Sequence, residues 1–281
     1  MVNQGDDAIL LDTAGVRKML PYLDFDNTRF PIYGGLYHPR GGTARHDAVA
    51  WGYARGADMR GVDIIQNCEV TGIDIENGAV TGVQTTRGEI KTKKIGVTVA
   101  GRSGQVAAMA GMRLPIESHV LQAFVTEGLK PVIDHVVSFG MGHFYISQSD
   151  KGGLVFGGDL DFYASYASRG NLPMKEHVME AGMTLMPMIG EAKVLRSWGG
   201  IMDMTPDGSP IIDKSPVDGL YLNCGWCYGG FKAVPGSGSV FSHLIATDKY
   251  HSEGTGFRLD RFRTGVGIVD EEGTGAQHNL H

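Results

Sequence analysis

A strand-like run at Gly219-Leu-Tyr-Leu-Asn223, a glycine-rich turn ending Gly229-Gly-Phe-Lys232, and an apolar-striped helix at Ser237–Asp248 behind Pro235 and Gly236 constrain this chain most. The Gly229–Lys232 stretch reads as an active-site loop rather than a linker. Two glycines let backbone approach a flat ligand, and Lys232 offers a cation for a carboxylate. The helix start behind the turn supplies partial positive charge to an electron-rich group.

The rest of the sequence supports a chain with a sizeable core. It has 281 residues, 42% of them hydrophobic and 20% charged, and its 42 glycines are scattered rather than periodic, as turns and close backbone approaches require. A net charge of −6 with dispersed basic residues argues against nucleic acid and anionic membrane partners. The first 30 residues lack a basic segment followed by an apolar one, and no long apolar run follows, so the expected location is the cytoplasm. Three cysteines make no disulfide framework. Cys224-Gly-Trp-Cys227 has redox or zinc spacing, but no second ligand pair accompanies it, and no metal site is expected.

Local signals divide the chain. Asp12-Thr13 caps a helix through Met19, and the turn-rich segment 24–43 is expected to wrap around something. Asp47 is the expected N-cap of a helix over Ala48 to Met59, which places His46 at its entrance. Strands are expected at 62–66, 68–76, 79–86 and 89–100, with a hairpin at Asn77-Gly78. After Gly101 a glycine turn, Arg102-Ser103-Gly104, leads into a small-residue helix to Gly111, a weak dinucleotide signal. Short strands at Val120–Glu127, Val132–Phe139, His143–Gln148 and Gly153–Gly158 predict a mixed or antiparallel sheet, followed by a helix over 174–189 and strands at 192–201 and 209–213. Residues 252–281 are expected to be an extended, docked tail anchored by Phe257, Leu259 and Phe262.

The segment Tyr37–Arg55, which carries His-Pro-Arg-Gly-Gly-Thr-Ala-Arg-His-Asp at 38–47, and the segment Asn223–Gly238 resemble the flavin-attachment segment and the C-terminal flavin loop of one family. That family comprises the flavin-bearing β subunits of heterotetrameric sarcosine oxidases, within the glycine oxidase and D-amino-acid oxidase superfamily. The tail Phe257-Arg-Leu-Asp-Arg-Phe262 fits as well, and the likeness runs through nearly the whole chain. It implies an α/β fold of the glutathione-reductase type, an FAD-binding domain truncated at its N-terminus with an inserted mixed or antiparallel substrate sheet. The implied parts are a wrapping segment 1–43, FAD-domain parts 44–113 and 200–250, a sheet domain 114–199 and a docked tail 251–281. Relatives open with a Gly-x-Gly-x-x-Gly turn, and none occurs in residues 1–40, so the nucleotide-binding front is expected to be missing.

The resemblance implies two flavins: noncovalent FAD, and FMN joined through its 8α carbon to His46. A neutral imidazole is also a reasonable nucleophile toward an activated flavin methyl, although an ordinary capping-region histidine fits the spacing too. Arg45, His143 and Lys232 are implied FMN contacts; Val70, Ala100, Gly101, Cys227 and Gly230 are implied FAD contacts. Lys232 is the expected catalytic residue, for the substrate carboxylate or the FMN side. Val70 reads equally as a core valine, and Arg45 and His143 as surface residues. Cys227 and Tyr228 stand where relatives usually carry Gly-Thr, a narrower fit for the ring. The implied activity is N-demethylation of sarcosine to glycine, with hydride passing to FAD, electrons to FMN and then to O2 as H2O2. The one-carbon unit goes to tetrahydrofolate or leaves as formaldehyde. Implied partners are α, γ and δ subunits, with NAD and tetrahydrofolate on a partner. Alternatives are a related oxidase or dehydrogenase for dimethylglycine, glycine or a D-amino acid, and a non-catalytic partner fragment unable to hold FAD.

Overall fold

The computed structural model describes residues 7–265. In chain order the elements are β1 (Ile9–Asp12), α1 (Thr13–Met19), β2 (Gly34–Tyr37), α2 (His46–Asp58), β3 (Val70–Glu76), β4 (Ala79–Thr85), β5 (Gly88–Lys91), β6 (Ile95–Val97) and α3 (Ser103–Met109). Then come β7 (Glu117–Gly128), β8 (Val137–Phe139), β9 (Phe144–Gln148), β10 (Gly153–Leu160), α4 (Leu172–Leu185), β11 (Val194–Met204), β12 (Ile211–Lys214), β13 (Leu220–Cys224), α5 (Gly230–Thr247) and α6 (Arg261–Thr264). The described residues form two compact units, one from 7–45, 120–162 and 167–200, the other from 46–119, 163–166 and 201–265.

The first unit is built on a five-stranded sheet of order β11-β7-β10-β9-β8. Alternate residues of its strands, Phe144 and Ile146 on β9 and Leu154 and Phe156 on β10, are buried, as the two-residue side-chain period requires. They pack with Val178, Ala181 and Leu185 of α4, and Phe124 and Phe156 stack with ring centroids 5.3 Å apart. Asn171 caps α4 by accepting from Met174 N at 3.0 Å. A second, two-stranded sheet pairs β1 antiparallel with β2, and Asp12 caps α1 by accepting from Gly15 N at 2.7 Å.

The second unit holds a three-stranded sheet of order β12-β13-β6, in which β13 runs antiparallel to β12 and parallel to β6. Leu220, Leu222 and Cys224 face α3 through Ala107, while Tyr221 faces Phe241 and Leu244 of α5. Helices therefore cover both faces, the condition under which a parallel pair is stable. A separate antiparallel sheet, β3-β4-β5, contains the Asn77-Gly78 turn, where φ is +51° and +82° as a type I′ hairpin demands.

Several expectations require correction. Residues 62–66 form no strand among the described residues, and Val62, Ile64 and Ile65 are exposed. The run at 89–100 splits into β5 and β6, which belong to different sheets. Val132 and Ile133 do not continue β8, because their N–H groups donate to Gln148 Oε1 at 2.7 and 3.1 Å instead of to a strand. The helix expected from Ala48 begins at His46, and the one expected from Ser237 begins at Gly230. Gly230, Phe231 and Lys232 are thus the first turn of α5 rather than loop, with Pro235 inside the helix. The described part of the tail packs through Phe257, Leu259 and Phe262 and is not extended throughout: Ser252–Phe257 form a 3₁₀ turn and Arg261–Thr264 form α6. Residues 266–281 of that tail lie outside the described residues.

Candidate functional site

Because β6 and β13 are parallel neighbours, their carboxyl ends lie at one edge of the sheet, and each feeds a helix. In open α/β sheets that edge is where ligands bind. From β6 the chain passes through Ala100, at φ +45°, and a 3₁₀ turn over Ala100–Arg102 into α3. Ser103 Oγ donates to Ala100 O at 2.6 Å, and Ser118 Oγ to Gly101 O at 2.8 Å. Gly101 has a reason of its own: a Cβ there would meet Ile201 Cγ2 at 2.4 Å and Ile201 O at 2.6 Å. Only glycine fits that approach.

From β13 the chain enters Cys224-Gly-Trp-Cys-Tyr-Gly229, and a buried carboxylate shapes the turn. Asp203 accepts from Gly225 N through Oδ2, and its backbone carbonyl accepts from Cys227 N at 3.1 Å. Burial raises the Asp203 carboxyl above the ordinary range, against the lowering effect of the N–H groups aimed at it. Thr205 N donates to Cys227 Sγ at 3.5 Å, and Thr205 Oγ1 donates to Ser209 O at 2.8 Å. Cys227 occupies φ +49°, a region where glycine sits without strain. Burial pushes the Cys224 thiol up to about 12 and raises that of Cys227, so neither is a thiolate at neutral pH. No group of metal-ligating side chains occurs among the described residues.

The 205–209 turn is held from the tail. Arg261, 6% exposed, grips Asp207 with Nε to Oδ2 at 2.7 Å and Nη2 to Oδ1 at 3.1 Å. Its Nη2 also donates to Ser209 O at 2.8 Å and its Nη1 to Arg258 O at 3.1 Å. Asp213 takes Tyr250 Oη at 2.6 Å and Leu259 N at 2.7 Å. Asp203, Thr205, Asp207 and Arg261 escape sequence reasoning, because their roles arise from contacts between residues 22 to 54 positions apart.

Neither α3 nor α5 has a side-chain cap; in α3 the Ser103 N–H is taken by Ala100 O, so the first turn of the longer α5 is the more open to an electron-rich ligand. Lys232 is exposed, its Nζ donating to Tyr228 O at 3.0 Å, and Tyr228 and Phe231 beside it are exposed aromatics. The structure thus gathers Ala100, Gly101, Cys227, Gly230 and Lys232 on the two turns of the second unit. Val70, half-buried, opens β3 and pairs with Thr85. His46 is exposed at the first turn of α2, a helix with no buried side chain. Arg45 and His143 belong to the first unit. His143 sits at φ +44°, fixed by its N–H to Gly140 O at 3.1 Å and its carbonyl to Asp159 N at 3.0 Å. Asp159 Oδ1 lies 4.0 Å from His143 Nδ1 and Oδ2 3.1 Å from His177 Nε2.

A parallel pair covered on both faces, with two uncapped helix starts at one edge, defines a nucleotide-type site of the kind flavoproteins use. The chain belongs to the family of FAD dependent oxidoreductases called DAO, whose family model matches residues 2–244. Among its relatives, the protein named sarcosine oxidase subunit beta from Rhizobium meliloti (strain 1021) is 68% identical over 277 residues, covering 99% of this chain and 66% of that protein. The protein of that name from Rhodobacter capsulatus is 49% identical, over 94% of this chain and 63% of its own length. The chain therefore spans about two thirds of the length of these relatives. Among solved structures, L-proline dehydrogenase from P. horikoshii superposes with a TM-score of 0.85 at 26% identity, over 94% of this chain and 71% of that one. Glycine oxidase from Bacillus cereus ATCC 14579, at 22% identity and a TM-score of 0.77 over 90% of this chain and 68% of that one, shares the fold.

No helix among the described residues is long and apolar enough to cross a membrane.

Proposed function

We propose that this chain is a β-type component of a sarcosine oxidase, working in the cytoplasm on the secondary amine sarcosine with O2 as acceptor. The net reaction is sarcosine plus O2 plus water giving glycine, formaldehyde and H2O2, the one-carbon unit passing to tetrahydrofolate where a partner holds it. The observation that carries this reading is the 68% identity along 99% of the chain to a relative of that name. α, γ and δ partner subunits, with NAD on one of them, complete the proposed assembly.

The donor set fits the ring end of FAD. Uncapped N–H groups at Gly230 to Lys232 and the α5 dipole suit the electron-rich pyrimidine edge, and exposed Tyr228 and Phe231 suit a flat apolar body. The Ala100–Arg102 turn fits the nucleotide side, and Val70, at the start of β3 in the separate β3-β4-β5 sheet, is a proposed contact there. No Gly-x-Gly-x-x-Gly turn for the pyrophosphate occurs in this sequence. When bound, FAD supplies an acceptor for the hydride leaving the N-methyl carbon. Lys232, exposed on the first turn of α5, would hold the substrate carboxylate or a flavin edge, and Cys227 would narrow the pocket beside it.

His46 is the proposed covalent tether for FMN, and Arg45, His143 and Lys232 are proposed contacts of that group. Its exposure on a helix that buries nothing leaves the imidazole accessible to alkylation. The test is to prepare the protein with its natural companion subunits, denature it, and look for flavin fluorescence that stays with the polypeptide. Peptide mapping is expected to place the adduct on His46, and His46→Ala to abolish it. An unmodified His46, or the same covalent colour in the alanine variant, would overturn the assignment.

A further inference from the structure

Residues within 32–43 contribute to the lining of a cavity in the first unit. With α1 and residues 133–139 they enclose about 610 Å³, within the range of small-molecule sites. Its floor is apolar, from Val16, Leu20, Ile133 and Val137, and Tyr37 and Phe139 contribute aromatic rings to its wall. Asp134 is the one carboxylate among the lining residues, and no lysine or arginine accompanies it there.

The charge on Asp134 is unbalanced. Among the described residues it has no ion-pair partner, and its field acts on Tyr22, whose hydroxyl is buried without a hydrogen-bond partner. Burial and then the Asp134 charge push the Tyr22 phenol up to about 12, which keeps it neutral beside that carboxylate. The edge-to-face pair of Tyr37 and His135, with centroids 5.7 Å apart, leaves an electron-rich ring in the same wall. Gln148, also in the lining, is committed to backbone: its Oε1 takes Val132 and Ile133 N–H, and its Nε2 donates to Lys130 O and Gly152 O. A single carboxylate beside aromatic rings over an apolar floor is complementary to an organic cation, through ion pairing and cation–π attraction.

We propose that this cavity, whose wall includes residues 37–39 and 41–43 ahead of His46, is a small-molecule site that takes a monovalent organic ammonium with an apolar body.

The test needs no flavin and therefore stands or falls separately from the proposed oxidase activity. N-methylbenzylammonium chloride is titrated into the protein, followed by NMR of the Ile133 and Val137 methyl groups, with benzyl methyl ether, benzoate and sarcosine as controls. Saturable shifts with the ammonium, weaker binding of all three controls, and weakening by added salt are expected. Asp134→Asn is expected to weaken binding about fivefold, the upper end for one exposed ion pair. Because Asp134 is exposed, that variant should keep its fold, which circular dichroism checks. Tyr37→Leu should weaken binding without changing its salt dependence. Equal binding of the neutral ether or of benzoate, an unchanged affinity in Asp134→Asn, or no saturable shift at these methyls would overturn the proposal. Sarcosine binding as tightly as the benzyl compound would do the same, since the apolar floor would then contribute nothing.

Discussion

Replacing Arg261 by methionine removes the clamp that fixes the turn at 205–209. The guanidinium is 6% exposed, makes a forked pair with Asp207 and holds two further carbonyls, of Ser209 and Arg258. Breaking a buried pair by deleting one partner costs about 3–5 kcal/mol, far more than an exposed pair, because the remaining carboxylate keeps its desolvation penalty. Taking ~4 kcal/mol and roughly 3 °C per kcal/mol for a chain of this size gives a drop of about 12 °C in melting temperature. Urea unfolding followed by circular dichroism gives the same quantity as a shift in midpoint at unchanged slope. Arg261→Lys should fall between, since an ammonium cannot reproduce the fork. Asp207→Leu with Arg261→Met should recover most of the loss, because the uncompensated charge is gone. A single variant within about 1 kcal/mol of the parent would refute the reasoning, placing the pair in the class of weak surface contacts.

Asp203→Asn keeps an acceptor for the Gly225 N–H. Because burial raises the carboxyl in the folded state, the parent binds more protons folded than unfolded, and loses stability as pH rises from about 4 through the folded value. The variant should lack that loss, being at least as stable near pH 7 in urea titrations across pH; an unchanged slope with lower stability would count against the assignment. In thiol labelling of the native protein near pH 8, Cys68, half-buried, should react first, while Cys224 stays unlabelled until denaturant is added. Peptide mapping reads the order, and early labelling of Cys224 would refute its burial.

Much of the fold was legible where local chemistry and tertiary packing agree. Asp12 as a cap and Asn77-Gly78 as a turn are local decisions, and the alternation in β9 and β10 states which face is buried. Elsewhere, local signals misled. Gly229, Gly230 and Pro235 read as breakers, yet the first turn of a helix lacks internal acceptors for its N–H groups, so glycine costs little there, and packing of Phe241 and Leu244 carries the proline. Val132 and Ile133 look like strand, but a glutamine side chain takes their N–H groups. At the candidate site, glycine turns announced the bends after β6 and β13, whereas Asp203 and Arg261, which hold the turns around the second of them, are ordinary residues until the chain has folded. Gly101 shows the converse: a glycine that resembles a ligand contact is required by Ile201.

Helix α2 spans 13 residues and buries none of its side chains. An isolated segment of that length is marginal in water, so its winding draws almost nothing from the hydrophobic core beneath the rest of the unit. The proposed tether His46 therefore rides on a length of backbone whose conformation is decided by what lies against it. On the proposed reading, in which His46 carries FMN beside companion subunits, docking of a companion would precede attachment.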